Sequence, residues 1–171
     1  FETDQGWTVV TDAACPGGAW QRAVPIPCST SRGDPAADFD GSGRCFLTQN
    51  NTIPTICNTD VDGGWTRLIS PTFDLAGLQN PLLRFAYWWR NDDLDSDPYR
   101  VEVSNDDGAN WVTIHTFVNQ PVQWLVAEYH VADYLVLTST MRLRFSVSDL
   151  PKNSIDEGAL DAVLIFDVTC P

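Results

Sequence analysis

"YRVEVSNDDGANWVTIHTF" occupies residues 99–117, and its pattern decides the fold class. Val101 and Val103 alternate with Arg100 and Glu102, the period of a strand with one dry face and one wet face. "WVTIHTF" resumes the pattern after "NDDGAN", whose Asp107-Gly108 pair suits a tight hairpin turn. Working outward, "MRLRFSVS" at 141–148 alternates Arg142 and Arg144 with Leu143 and Phe145. "WTVVTD" at 7–12, "WLVAEYHV" at 124–131 and "ALDAVLIFDV" at 159–168 also read as strands. "WTRLISPTFDL" at 65–75 is a strand stopped by Pro71 and then resumed, and "PLLRFAYWWRN" at 81–91 is a long aromatic run. No window carries a capped apolar stripe at helical spacing. Eight or nine strands, separated by irregular runs at 12–44 and 49–64, predict an all-β antiparallel β-sandwich of jelly-roll type, one domain over residues 1–171.

Composition narrows the function. The 171 residues hold 43% hydrophobic and 19% charged side chains, the balance of a folded domain. Ten Lys+Arg stand against 23 Asp+Glu, a net charge of −13, and Lys152 is the only lysine. Such a surface repels phosphate backbones and anionic membranes, which argues against nucleic-acid partners. It suits a secreted protein whose self-repulsion is screened by salt. No apolar run approaches the roughly eighteen residues of a membrane-crossing helix, so no membrane insertion is expected. The chain opens on "FETDQGW" without a signal peptide, as an excised domain or a mature secreted form would.

Five cysteines occur, four of them in loop-like contexts in the first third: Cys15, Cys28, Cys45 and Cys57. The simplest disulfide pairing is local, Cys15–Cys28 and Cys45–Cys57, each closing a loop worth about 3 kcal/mol in chain-entropy terms. Three pairings of the four are open, and connectivity does not follow from sequence. Zinc would want close cysteine pairs, and no C-x-x-C is present. Cys170 is left over, either a buried thiol or half of a bridge to something outside this stretch.

The order of motifs carries a resemblance. "FE" at 1–2 and "GW" at 6–7 come first, then "LISP" at 68–71 and "LLRFAYWW" at 82–89. "VEVSNDDGANW" at 101–111, Trp124, "MRLRFSV" at 141–147 and "ALDAV" at 159–163 follow. The chain resembles the MAM domain, an adhesion module, and more closely the MAM-like jelly-roll modules appended to secreted bacterial peptidases and polysaccharide-active enzymes. The resemblance implies a non-catalytic two-sheet jelly roll with a structural cation, usually calcium (Ca2+), where the first strand meets the last. It implies Glu2 and Asp161 as ligands. The sequence departs from the pattern at Ala162, where a second aspartate is usual, and no cysteine opens "LLRFAYWW".

Two further stretches carry calcium chemistry on their own residues. "DFDGSG" from Asp38 and "DVDGG" from Asp60 each space aspartates two apart before glycine, so carboxylates and the carbonyl between them turn to one side. Asp40, Asp60 and Asp62, with Asp38 beside them, join Glu2 and Asp161 as candidate ligands, and the two loops are read as serving one ion. The bland alternative is that Asp and Gly simply make turns. "NDDLDSDP" at 91–98 reads as a solvated loop, with a second ion site or a ligand contact as the alternative.

Seven tryptophans suggest a sugar-binding surface, because ring faces pack against pyranose C–H faces. In "AYWWRND" one alternating set must be core and the other free for a ligand. Trp88, Trp89, Arg90, Asn91 and Trp65 are the candidate ligand-binding residues. Glu102 and Glu128 lie on strands, but outer-face charge explains them, and neither His115 nor His130 sits in a hydrolase motif. The expectation is a secreted, non-catalytic, calcium-stabilised module of a larger multidomain chain, binding an extracellular glycan. The alternative is an adhesion or accessory domain of a secreted peptidase, acting through protein contacts.

Overall fold

Alternating strands with one apolar face must bury that face against another sheet, and most of the ten strands among the described residues do so here. The computed structural model describes residues 1–28, 33–54, 59–92, 97–118, 120–150 and 154–168. The strands are β1 (Thr8–Thr11), β2 (Trp20–Ala23), β3 (Cys45–Thr48), β4 (Trp65–Ile69), β5 (Pro81–Asn91), β6 (Tyr99–Ser104), β7 (Val112–Phe117), β8 (Leu125–His130), β9 (Arg142–Ser148) and β10 (Asp156–Asp167). Among the described residues the only helical element is a 3-10 turn at Val131–Asp133. Two antiparallel five-stranded sheets result, ordered β1-β4-β9-β6-β7 and β2-β3-β10-β5-β8. The all-β jelly-roll-like sandwich expected from the sequence is the architecture found.

The core between the sheets is aromatic. Tyr99 is fully buried at its centre, edge-on to Trp20, Trp89 and Phe145. Phe117 stacks on Tyr87 with ring centroids 4.0 Å apart. Each such ring removes well over 100 Å² from water, the dominant favourable term in folding.

One irregularity positions the functional region. β10 pairs with β5 from Asp156↔Asn91 to Asp161↔Ala86, then resumes at Leu164↔Arg84, so one extra residue is inserted. Ala162 takes the strain, with φ +49°. The bulge lets Asp161 point away from the core while Val163 and Ile165 return to it.

The expected local disulfides do not form, because Cys15 and Cys45 are both free, buried thiols. Cys45 starts β3 and packs with Leu47 and Ala159. The Cys15 thiol sits 2.9 Å from the Gly17 carbonyl, to which it donates. Cys28 is disulfide-bonded. Cys57 and Cys170 both lie outside the described residues.

Candidate functional site

Ahead of β3, residues 33–37 cross the outer face of the second sheet. Two tryptophans fasten them there: the Trp88 indole N–H donates to the Gly33 carbonyl at 2.5 Å, and that of Trp124 donates to the Ala37 carbonyl at 2.9 Å. This delivers "DFDGSG" to the β10 bulge. The Phe39 N–H donates to Asp161 Oδ2 at 2.9 Å, and the Ala162 N–H to Asp161 Oδ1 at 2.8 Å. Gly41 and Gly43, at φ +76° and +125°, let the loop turn back tightly. Asp40 then accepts the Ser42 N–H, and Asp38 accepts the Gly43 N–H.

One oxygen each of Asp38, Asp40 and Asp161 lies within 4.8 Å of the others. That span is about twice a calcium–oxygen bond, so one ion of that size can touch all three. Glu2 reaches the rim of this group. Its Oε1 accepts the Ser42 hydroxyl at 2.8 Å and the Arg44 N–H at 3.0 Å, and the same hydroxyl lies 3.3 Å from Asp38. The electrostatics are divided. Burial pushes the Asp161 carboxyl up, with Asp40 adding to the rise, whereas hydrogen bonds from Ser42 hold Glu2 and Asp40 below their usual range. A cation would relieve the cost of keeping Asp161 ionised.

Asp60 and Asp62 do not join this group. The "DVDGG" loop bridges Gly17 instead, and the Val61 N–H donates to the Asp156 carbonyl at 3.2 Å, at the far end of β10. The two Asp-x-Asp-Gly loops therefore do not serve a common ion. A second cluster takes in Asp97, the last aspartate of "NDDLDSDP", which is buried and not solvated, as the second-ion-site alternative for that stretch requires. Asp97, Asp149 and Asp156 are wholly buried, with one oxygen each within 4.8 Å of the others. The Ser154 hydroxyl lies among them, 2.7 Å from Asp156, 3.3 Å from Asp149 and 3.4 Å from Asp97. Both clusters have the oxygen spacing to hold a metal ion. The second is assembled from three segments, and only Asp97 among its members lies in a stretch the sequence singled out.

The aromatic candidates separate. Trp89 is 1% exposed and sits in the core, its indole donating to the Val118 carbonyl, so as placed it cannot meet an external sugar. Trp88 faces outward but is covered by the Gly33 segment and lies edge-on to Trp124 at 5.9 Å. Arg90 is paired with Asp92, and Asn91 donates to the Asp97 carbonyl. Trp65 belongs to the other sheet, where the Arg100 guanidinium lies 4.6 Å from its ring centroid. These five residues form no common surface.

The strand carboxylates are engaged elsewhere. Glu102 is buried and takes a two-pronged contact from Arg144 at 2.6 and 2.7 Å. Glu128 pairs with Arg84 on the other sheet. They do not face one another across a cleft as the acid pair of a glycosidase must.

No protein-family model matches the sequence, and no curated protein matches it. Solved structures share the fold. The chain is similar to TmCBM61, solved in complex with β-1,4-galactotriose: 13% identity, 95% of this chain and 89% of that one, TM-score 0.53. It is similar to the K3 cleaved adhesin domain of the Lys-gingipain of Porphyromonas gingivalis: 18% identity, 95% and 91%, TM-score 0.53. It is also similar to the family 11 carbohydrate-binding module of Clostridium thermocellum: 10% identity, 98% and 92%, TM-score 0.53. The resemblance to MAM-like modules thus finds support in the sandwich fold alone.

Proposed function

We propose that the chain is a secreted, non-catalytic carbohydrate-binding module, a single domain over residues 1–171 within a larger protein, stabilised by calcium. The meeting of Asp38, Asp40 and Asp161, with Glu2 at its rim, carries this reading. These groups come from the amino-terminal segment, a long loop and the last strand, so an ion shared among them would tie three distant parts of the chain together. The donor set fits calcium: hard carboxylate oxygens, a glycine-permitted loop, and no nitrogen or sulfur ligand in the group. Asp38, Asp40 and Asp161 would hold the ion, which would neutralise their mutual repulsion. Sugar binding is supported by the oligosaccharide-binding modules that share the fold. A glycan array run with and without calcium tests the proposal. Retention of at least one neutral glycan is expected, and retention of none in calcium would overturn the sugar reading.

A second reading, adhesion through protein contacts, is favoured by one patch. Leu164 and Phe166, two residues apart on the outward side of β10, are 53% and 44% exposed. An apolar patch of this kind suits a protein partner. The adhesin domains that share the fold point the same way. Replacing Phe166 by Ser separates the two readings: loss of adhesion with glycan retention unchanged supports protein contacts.

A further inference from the structure

Beside the open acidic cluster lies a cavity of about 720 Å³, within the usual range of small-ligand sites. Its walls are the amino-terminal segment, residues 71–75 beyond β4, and the β10 bulge. Trp7 and Phe73 give it an aromatic surface, each only partly buried against the core. Gln5, Asp40, Thr72 and Asp74 give it an exposed polar rim.

The wall is already formed. Phe73 and Met141 exchange two backbone hydrogen bonds, at 2.8 and 3.1 Å, and the Leu75 N–H donates to the Thr138 carbonyl. The Asp74 carboxylate accepts the Ala76 N–H at 3.1 Å, which fixes its direction. Thr72 is held by its hydroxyl donating to Asp107 at 2.9 Å. Ring surface beneath a rim of carboxylate and amide acceptors suits a ligand with an apolar face and many hydroxyl donors. Asp40 and Asp74, on a chain of net charge −13, disfavour an anionic ligand. A neutral sugar has the matching chemistry.

One wall residue belongs to the ion site and a second is joined to it. Asp40 contributes to the acidic cluster and to the cavity, and Ala162 lines the cavity directly after Asp161. We infer that this cavity, rather than the β5 tryptophans, receives a neutral sugar unit, and that an ion bound by the cluster sets the cavity's shape through Asp40 and Ala162. This role rests on the carbohydrate-binding reading above and gives it a place on the molecule.

Calorimetric titration with neutral β-1,4-linked galacto-, gluco- and manno-oligosaccharides tests it, using the parent chain, Asp74→Asn and Thr72→Arg. Both substitutions are at exposed positions, and Thr72→Arg gives up one surface hydrogen bond to Asp107, so thermal melts within a few degrees of the parent exclude misfolding. The expected result is that the parent binds at least one sugar in calcium, and that each variant loses at least tenfold in affinity. Excess chelator should cost the parent a similar factor. If the parent binds and both variants bind equally well, the cavity is not the site, while carbohydrate binding stands. If the variants lose affinity but chelator changes nothing, the coupling to the ion is overturned. If the parent binds none of these sugars, and the array also retains none, the carbohydrate reading falls and the cavity assignment with it.

Discussion

Asp161 and Asp156 stand on the same strand, yet they serve opposite kinds of acidic cluster. Around Asp161, Asp40 is exposed and Asp38 partly so, and the remaining groups arrive from a glycine-bearing loop and the amino-terminal segment. Around Asp156 all three carboxylates are wholly buried. An open cluster can trade an ion with solvent. A sealed one must have its charge compensated within the folded core, because buried carboxylates without compensation are too costly to keep. Acidic residues at similar spacing from one another thus have different thermodynamic meanings, set by water access.

The largest expected effect tests the sealed side. Asp156→Ala removes the nearest acceptor of the Ser154 hydroxyl and disturbs two buried neighbours, at a cost of about 3 kcal/mol. Urea denaturation should give the same loss with and without calcium. A loss confined to calcium-containing buffer would mean that this cluster exchanges an ion as well, and the contrast would fail.

Chelation of the parent comes next. With free calcium at about 100 times its dissociation constant, removal should cost about 2.7 kcal/mol. For a chain of this length that lowers the melting temperature by about 5–10 °C. A melt indifferent to excess chelator would take the ion out of the open cluster. Asp161→Ala should abolish the chelator response and leave a residual loss of about 1 kcal/mol, from the Phe39 and Ala162 N–H groups that lose their acceptor. Asp62→Ala should leave calcium affinity unchanged, since its loop lies against Gly17. A weakened affinity there would reunite the two Asp-x-Asp-Gly loops at one ion.

The smallest effect is a control outside both clusters. Hydrogen bonds from the Asn110 side chain and backbone and from the Ser104 hydroxyl hold Asp106 down to about 2, below its ordinary 3.8. A carboxylate lowered in the folded state stabilises above its unfolded value, and that stability is lost as pH falls from about 4 towards 2. Asp106→Asn should therefore flatten the acid side of the stability profile, measured by urea melts between pH 5 and pH 2. A parent profile already flat over that window would remove the assigned role of this turn.

The sheet framework was legible because most strands alternate. β5 begins and ends where "PLLRFAYWWRN" does, and the 99–117 hairpin turns where Asp107-Gly108 stands. β2 and β3 were not legible. Trp20–Ala23 and Cys45–Thr48 are four residues each, and β3 is buried along its whole length, so no alternation marks it. The residues of the open cluster could be read, Asp38 and Asp40 from "DFDGSG" and Glu2 and Asp161 from the order of motifs. What could not be read was that "DVDGG" goes to the other end of β10, a matter of long-range topology. The surroundings of the tryptophans were hidden for a related reason. Alternation separates Trp88 from Trp89, but it cannot reveal that a loop from residues 33–37 covers the outward ring.

The extra residue at Ala162 reverses the parity of β10. Before it, odd-numbered positions such as Ala159 and Asp161 face outward; after it, Val163 and Ile165 face inward and Leu164 and Phe166 outward. Deleting that one residue would leave no continuous pairing that keeps both halves correct. Either Asp161 would be turned into the hydrocarbon interior, or Leu164 and Phe166 would displace the residues that now line it.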